Sequence, residues 1–161
     1  MKSICLLLSR LFLSAWVGAA ALFVTTSVRE VTSGISQLRD STIRNALVQV
    51  RFPSYYLFGF SLVGAAFVCS LLAWKHTTII SKLRLSVSIL LMFAALGVMS
   101  YDYFQVYLPL EKMVTPAEKA KPAEFVETHE QSKMLNYVDV SLCFVAAILL
   151  CYPTRIKKQP A

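Results

Sequence analysis

The sequence predicts an all-α integral membrane protein, a four-helix transmembrane bundle with an extended fourth helix. Three observations carry that prediction. The 161-residue chain is 57% hydrophobic and 16% charged with a mean hydropathy of +0.60, too apolar for a soluble globular domain of this size. Its apolar residues are blocked rather than dispersed, in runs long enough to cross the ~30 Å hydrocarbon core as helices. Lys and Arg gather at the ends of those runs, where positive charge orients helices and meets anionic headgroups. The net charge of +7 therefore belongs to the flanks of the spans. No basic face interleaved with stacking aromatics occurs elsewhere, which excludes nucleic acid and leaves the lipid bilayer as the partner the chain requires.

Residues 1–161 read as a single transmembrane domain. The first span is placed at about 8–28, where eighteen residues from Leu11 to Val28 carry no charge. A basic start, an apolar core and the small residues Gly18, Ala19, Ala20 and Ala21 also resemble a secretory signal. Arg10 would interrupt the core of such a signal, and Ser14 and Gly18 form a small-xxx-small pair on which another helix could close, so a retained span is favoured. Residues 29–52 then scatter Arg29, Glu30, Arg39, Asp40, Arg44 and Arg51 among apolar positions. Val31, Ile35 and Leu38 fit a helical stripe that degrades afterwards, which predicts an interfacial helix connecting spans one and two.

The second span, about 53–74, opens on Pro53, whose missing N–H costs nothing in a first helical turn. Phe52 to Trp74 runs twenty-three residues without a charge, with Tyr55, Tyr56 and Trp74 marking its ends as interfacial aromatics do. A basic hairpin, KHTTIISKLR, follows, and its His76 reads as solvated or headgroup-facing. The third span covers about 84–104 and is prolonged by YDYFQVYLPL, with Asp102 between two tyrosines. Residues 110–124, with Pro116, Pro122 and alternating charge, form a solvated loop. A helix restarts near Ala123 and runs to about Tyr152, roughly 30 residues and ~45 Å, so its first turns project beyond the membrane-crossing part at 135–152. Pro153 stops it.

Within that last helix, Phe125, His129, Ser132, Asn136 and Asp139 are spaced by four, three, four and three residues, which confines them to one face, and Cys143 continues the line. A polar line is thus carried into an apolar helix. Lys and Arg divide eight and eight between the two sides of the predicted topology. The density of Lys2, Arg10, Lys75, Lys82, Arg84, Arg155, Lys157 and Lys158 in very short segments favours cytoplasmic termini. A bacterial inner membrane is the expected location, with a eukaryotic endomembrane as the alternative. Thr25, Thr26, Arg29, Arg51, Tyr55, Tyr56, Tyr101, Asp102, Tyr103, Asn136 and Asp139 then share the non-cytoplasmic level. A carboxylate there is costly unless paired or wet, so Asp102 and Asp139 are expected to turn inward, with Arg29 and Arg51 as reachable charge partners.

The stretches RLFLSAWVGA, VRFPSYYLF and FVETHEQSKMLNYVDV, in that order, resemble the transmembrane-protein-205-like family of small four-span membrane proteins. Trp16 and Gly18 match its tryptophan-glycine pair. Phe52, Pro53 and Tyr56 match its Phe-Pro-x-Tyr stretch, and Phe125, His129, Ser132 and Asn136 match its His-x-x-Ser-x-x-x-Asn signature. The resemblance implies that the first span belongs to the domain; it brings no reaction with it.

Two functions follow from these residues. In one, the chain is a structural or accessory membrane component, and His129, Ser132, Asn136 and Asp139 form a hydrogen-bonded packing seam. In the other, the same face with Asp102 lines a wet site in a small transporter or ligand-binding protein, His129 being able to change charge near neutral pH. Catalysis is not expected. The two histidines fall on opposite sides of the membrane, which leaves neither a metal centre nor a bis-histidine haem. No serine, cysteine or lysine has a base beside it, no glycine-rich phosphate loop is present, and no cofactor is expected. Cys5, Cys69, Cys143 and Cys151 lie in apolar runs and read as buried thiols. A second copy or another membrane protein remains the open class of protein partner.

Overall fold

The computed structural model describes residues 2–32, 34, 41–74, 81–117 and 121–152. The basic hairpin from Lys75 with His76, the apolar positions Ile35 and Leu38 of the predicted connecting helix, and Pro153, Arg155, Lys157 and Lys158 lie outside the described residues. Charge-free apolar runs fold as helices because lipid offers the backbone no hydrogen-bond partners, so each segment must satisfy its own. The described elements are α1 (Lys2–Thr32), α2 (Ser41–Trp74), α3 (Lys82–Tyr101), a π-helical segment (Asp102–Tyr107), α4 (Leu108–Met113) and α5 (Glu124–Cys151). Four helical stretches, Ile4–Glu30, Thr42–Trp74, Lys82–Met113 and Glu124–Cys151, are long and apolar enough to cross a membrane.

Adjacent helices pack in a closed ring, α1 against α2, α2 against α3, α3 against α5 and α5 against α1. Small and mid-sized side chains fill the axis. Leu13, Val63, Ala66, Met92, Ala95, Cys143, Ala146 and Leu150 are all fully buried. The outward surface carries Leu22, Leu57, Leu72, Leu90, Phe93 and Phe144, as a lipid-facing surface must.

Polar ends are closed locally. Ser81 caps α3, its hydroxyl accepting from the Arg84 backbone N–H at 3.3 Å. Glu124 and Glu127 sit in the first turn of α5, where the helix dipole favours negative charge. At its other end, the last carbonyls of α5 have no intrahelical donor. Arg10 Nε donates to the Leu150 carbonyl at 2.7 Å and Arg84 Nη1 to that of Tyr152 at 3.1 Å. Arg10 is therefore a built part of the bundle, joining α1 to α5.

Four expectations from sequence are corrected. The stripe of the predicted interfacial helix falls largely outside the described residues, but the second span starts earlier than predicted: Ser41 to Phe52 are the first turns of α2 itself, and Pro53 lies inside that helix rather than at its start. Asn45 and Gln49 explain why the apolar stripe degrades. They face the loop after α4, Asn45 Nδ2 donating to the Ala117 carbonyl at 2.8 Å and Gln49 Nε2 to that of Val114 at 2.9 Å, so amides rather than apolar groups are required there. The third span does not end near 104. The π-helical segment and α4 carry it to Met113, and the loop begins at Val114. Tyr55 and Tyr56 are not lipid-facing interfacial aromatics, being 7% and 1% exposed inside the bundle. Ser14 and Gly18, both exposed, do not close on another helix of this chain.

Candidate functional site

The face predicted on the last helix points inward. Ser132, Asp139 and Cys143 are buried and Phe125, His129 and Asn136 half-buried, so the four-three spacing is realised as the inner stripe of α5. Opposite it, the third span changes to π-helical winding at Asp102. A π turn sets residues about five apart in register and re-aims side chains, and it buries Asp102, Val106 and Tyr107 together.

Asp102 is the node. Its Oδ2 accepts a 2.6 Å hydrogen bond from the Tyr56 hydroxyl on α2 and a 2.9 Å bond from Asn136 Nδ2 on α5. Asn136 also donates to the Ser132 carbonyl one turn earlier, at 3.1 Å, which fixes its amide. Three elements thus meet on one carboxylate oxygen, and Asp102 is only 2% exposed. Its Oδ1 has no hydrogen-bond partner. Asp139, also 2% exposed, accepts a long 3.7 Å contact from the Cys143 thiol.

Around this node stands an aromatic shell. Tyr56 packs on Tyr103 and Tyr107, each with centroids 5.0 Å apart, and Phe52 stacks on Tyr107 at 5.7 Å. Tyr55 bridges to α1, 4.9 Å from Trp16 and 4.5 Å from Phe23. Trp16 is fully buried and lies over Gly59, where a Cβ would come 2.7 Å from the indole. Such tilted and edge-on pairs stabilise beyond their buried area. Above the shell, a cleft of about 40 Å³ is lined by Phe52, Tyr107, Leu110, Glu111, Phe125 and His129 among others. His129 stacks on Phe125 with centroids 5.7 Å apart, and the Tyr107 hydroxyl is buried without a partner.

The structure therefore brings Ser132, Asn136, Asp102 and Tyr56 together, and leaves His129 and Phe125 apart from them at the cleft. The predicted charge partners are corrected. Among the described residues no ion pair joins Arg29 or Arg51 to Asp102 or Asp139. Arg51 instead pairs with Glu30 at 2.5 Å, half-buried, where two long side chains meet nearer the helix ends than a short aspartate inside the bundle. Arg29 is exposed in the last turn of α1, where a cation suits the helix C-terminus. Thr25 and Thr26 are likewise exposed, each donating to a carbonyl of its own helix. Tyr107, Gly59, Asn45 and Gln49 were missed by sequence reasoning; their roles depend on which residue crosses from a neighbouring element, and no spacing within one helix signals that. Among the described residues no group of three or more His, Cys, Asp or Glu is placed to hold a metal.

Fold and site define the class: a four-span α-helical membrane bundle with a buried polar junction on its inner face. No family model, curated protein or solved structure matches the chain.

Proposed function

We propose that the chain serves as a structural or accessory membrane component whose inner polar face is a helix-packing seam. The observation that carries this reading is the shared oxygen of Asp102, on which α2 and α5 both place a donor. In a bilayer, apolar helix surfaces gain little from one another over lipid, so interhelical hydrogen bonds and close packing decide which helices stay together. Burial of Ser132, Asp102 and Asp139 supports it. The resemblance of the Trp16, Phe52–Tyr56 and Phe125–Asn136 stretches to a four-span family fits the same reading, as does an orientation with both termini cytoplasmic.

The test compares Tyr56→Phe, Asn136→Ala and His129→Ala, purified in bicelles and expressed in a deletion strain of the host. The two junction variants should unfold at lower temperature and His129→Ala close to wild type. Any phenotype should follow the amount of folded protein. A junction variant that folds as wild type yet fails to complement would contradict the seam and favour a ligand site.

A further inference from the structure

A carboxylate sealed in a membrane bundle must be neutralised by a cation, by water or by a proton. Among the described residues the groups around Asp102 decide between these. From α2 it meets Tyr56, and from α5 Ser132 and Asn136, with Asp139 one turn further on. Its own segment adds Tyr103 and Tyr107, both packed on Tyr56. Around Asp139 stand Tyr55 from α2 and the Cys143 thiol, with Trp16 of α1 beside that thiol. Every one of these groups is neutral or acidic. Of the cations at this end, Arg51 holds Glu30, Lys133 holds Glu130 on the outside of α5, and Lys121 lies over the Phe125 ring, and among the described residues none forms an ion pair with Asp102 or Asp139.

The two carboxylate oxygens of Asp102 are also unequal. Oδ2 takes both donors, while Oδ1 is buried and receives none. An ionised carboxylate would leave a full half of its charge at that bare oxygen, and a proton there removes the buried charge at the smaller cost of an O–H without an acceptor. We propose that Asp102 is a proton-binding site, holding a proton on Oδ1 at neutral pH.

Access is one-sided. The outer cleft reaches Tyr107, and Tyr107 packs on the Tyr56 ring whose hydroxyl sits on Asp102, so the cleft opens within two side chains of the carboxyl. About 40 Å³ is room for roughly two or three waters. Towards the other end, Leu13, Val63, Met92, Ala95, Ala146 and Leu150 fill the axis, and the serines buried there are bonded among themselves or to backbone carbonyls, Ser9 to Ser70 and Ala66 and Ser88 to Arg84. The proton therefore exchanges with water on the side of the α4–α5 loop: hydronium gives its proton to the carboxylate and leaves as water.

The site rests on the seam reading, since the two donors of the seam hold Asp102 with its Oδ1 buried and bare. Linkage gives the sign. The folded chain keeps a proton that the unfolded chain releases above the ordinary aspartate range, so stability falls as pH rises, by up to about tenfold in the folding equilibrium per pH unit and proton. The experiment uses the full chain in nanodiscs, with thermal unfolding from about pH 5 to about pH 9 and infrared spectra of the carboxylic C=O stretch. Wild type should lose stability with rising pH and show the band of a protonated acid at neutral pH. Asp102→Asn, which carries an N–H at the Oδ1 position, should flatten the pH profile and remove intensity from that band. A wild-type spectrum without the band at neutral pH would overturn the proposal whether or not any variant folds. So would a band that Asp102→Asn leaves intact, or a stability that depends on sodium in place of pH. If Asp102→Ala is as stable as wild type while wild type shows the band and Asp102→Asn removes its intensity, the seam fails and the proton on Asp102 stands.

Discussion

Gly59 shows how a single hydrogen atom can set the distance between two helices. A methyl there would lie 2.7 Å from the Trp16 ring and 3.0 Å from the Met99 terminal methyl, and Trp16 is fully buried with nowhere to turn. Gly59→Ala should lower stability by about 1–3 kcal/mol, as overpacking of a filled core does. Gly18→Ala, with no atom within 4 Å of the new methyl, should leave it unchanged or raise it by up to about 1 kcal/mol. Thermal unfolding of the two variants in the same micelles checks the pair. The sequence pointed at Gly18, beside a tryptophan and in a small-xxx-small spacing, and was silent on Gly59. A close approach is a property of two helices at once, and one helix's spacing does not encode which ring arrives from the other. Asp102, Ser132, Asn136 and Asp139 were legible for the opposite reason. A polar residue in an apolar run is costly wherever it points, so its inward direction follows from its own chain alone.

Among the elements, α5 depends on α1 and α3 for its end. Its last carbonyls are bound by Arg10 and Arg84, the first a guanidinium placed inside an otherwise apolar helix. Arg10→Met keeps the length of the side chain and removes the donor, and should cost about 1.5–3 kcal/mol, the range for a hydrogen bond to a charged group. Arg29→Met, on the exposed last turn of α1, should stay within about 0.5 kcal/mol of wild type. Urea unfolding in bicelles separates the two. The start of α2 makes a second case. Asn45→Leu should speed hydrogen exchange in the loop at 114–117, because the amide that holds the Ala117 carbonyl is gone; exchange at the wild-type rate would mean the loop is held by other contacts. Sequence periodicity located α5 and its inward face well, since nothing interrupts its four-three spacing. It split α2 into a connector and a span because Asn45, Gln49, Arg51 and Pro53 interrupt the apolar pattern, although tertiary hydrogen bonds and the Glu30 pair keep that stretch helical.

For the whole molecule, composition alone announced a membrane bundle, and the ring of four packed helices follows from runs that must satisfy their backbones internally. What the sequence could not show was the knot that ties the ring. The π-helical turn brings Asp102 to face α2 and α5 together, and no pattern in DYFQVY distinguishes that winding from an ordinary helix. The most direct measurement is a double-mutant cycle of Tyr56→Phe and Asn136→Ala, read by reversible unfolding in bicelles, in the Asp102 chain and again in Asp102→Ala. The junction predicts that the two donors couple by about 0.5–1.5 kcal/mol through the shared oxygen, and that the coupling disappears once Asp102 is alanine. Additivity within about 0.3 kcal/mol in both backgrounds would contradict it.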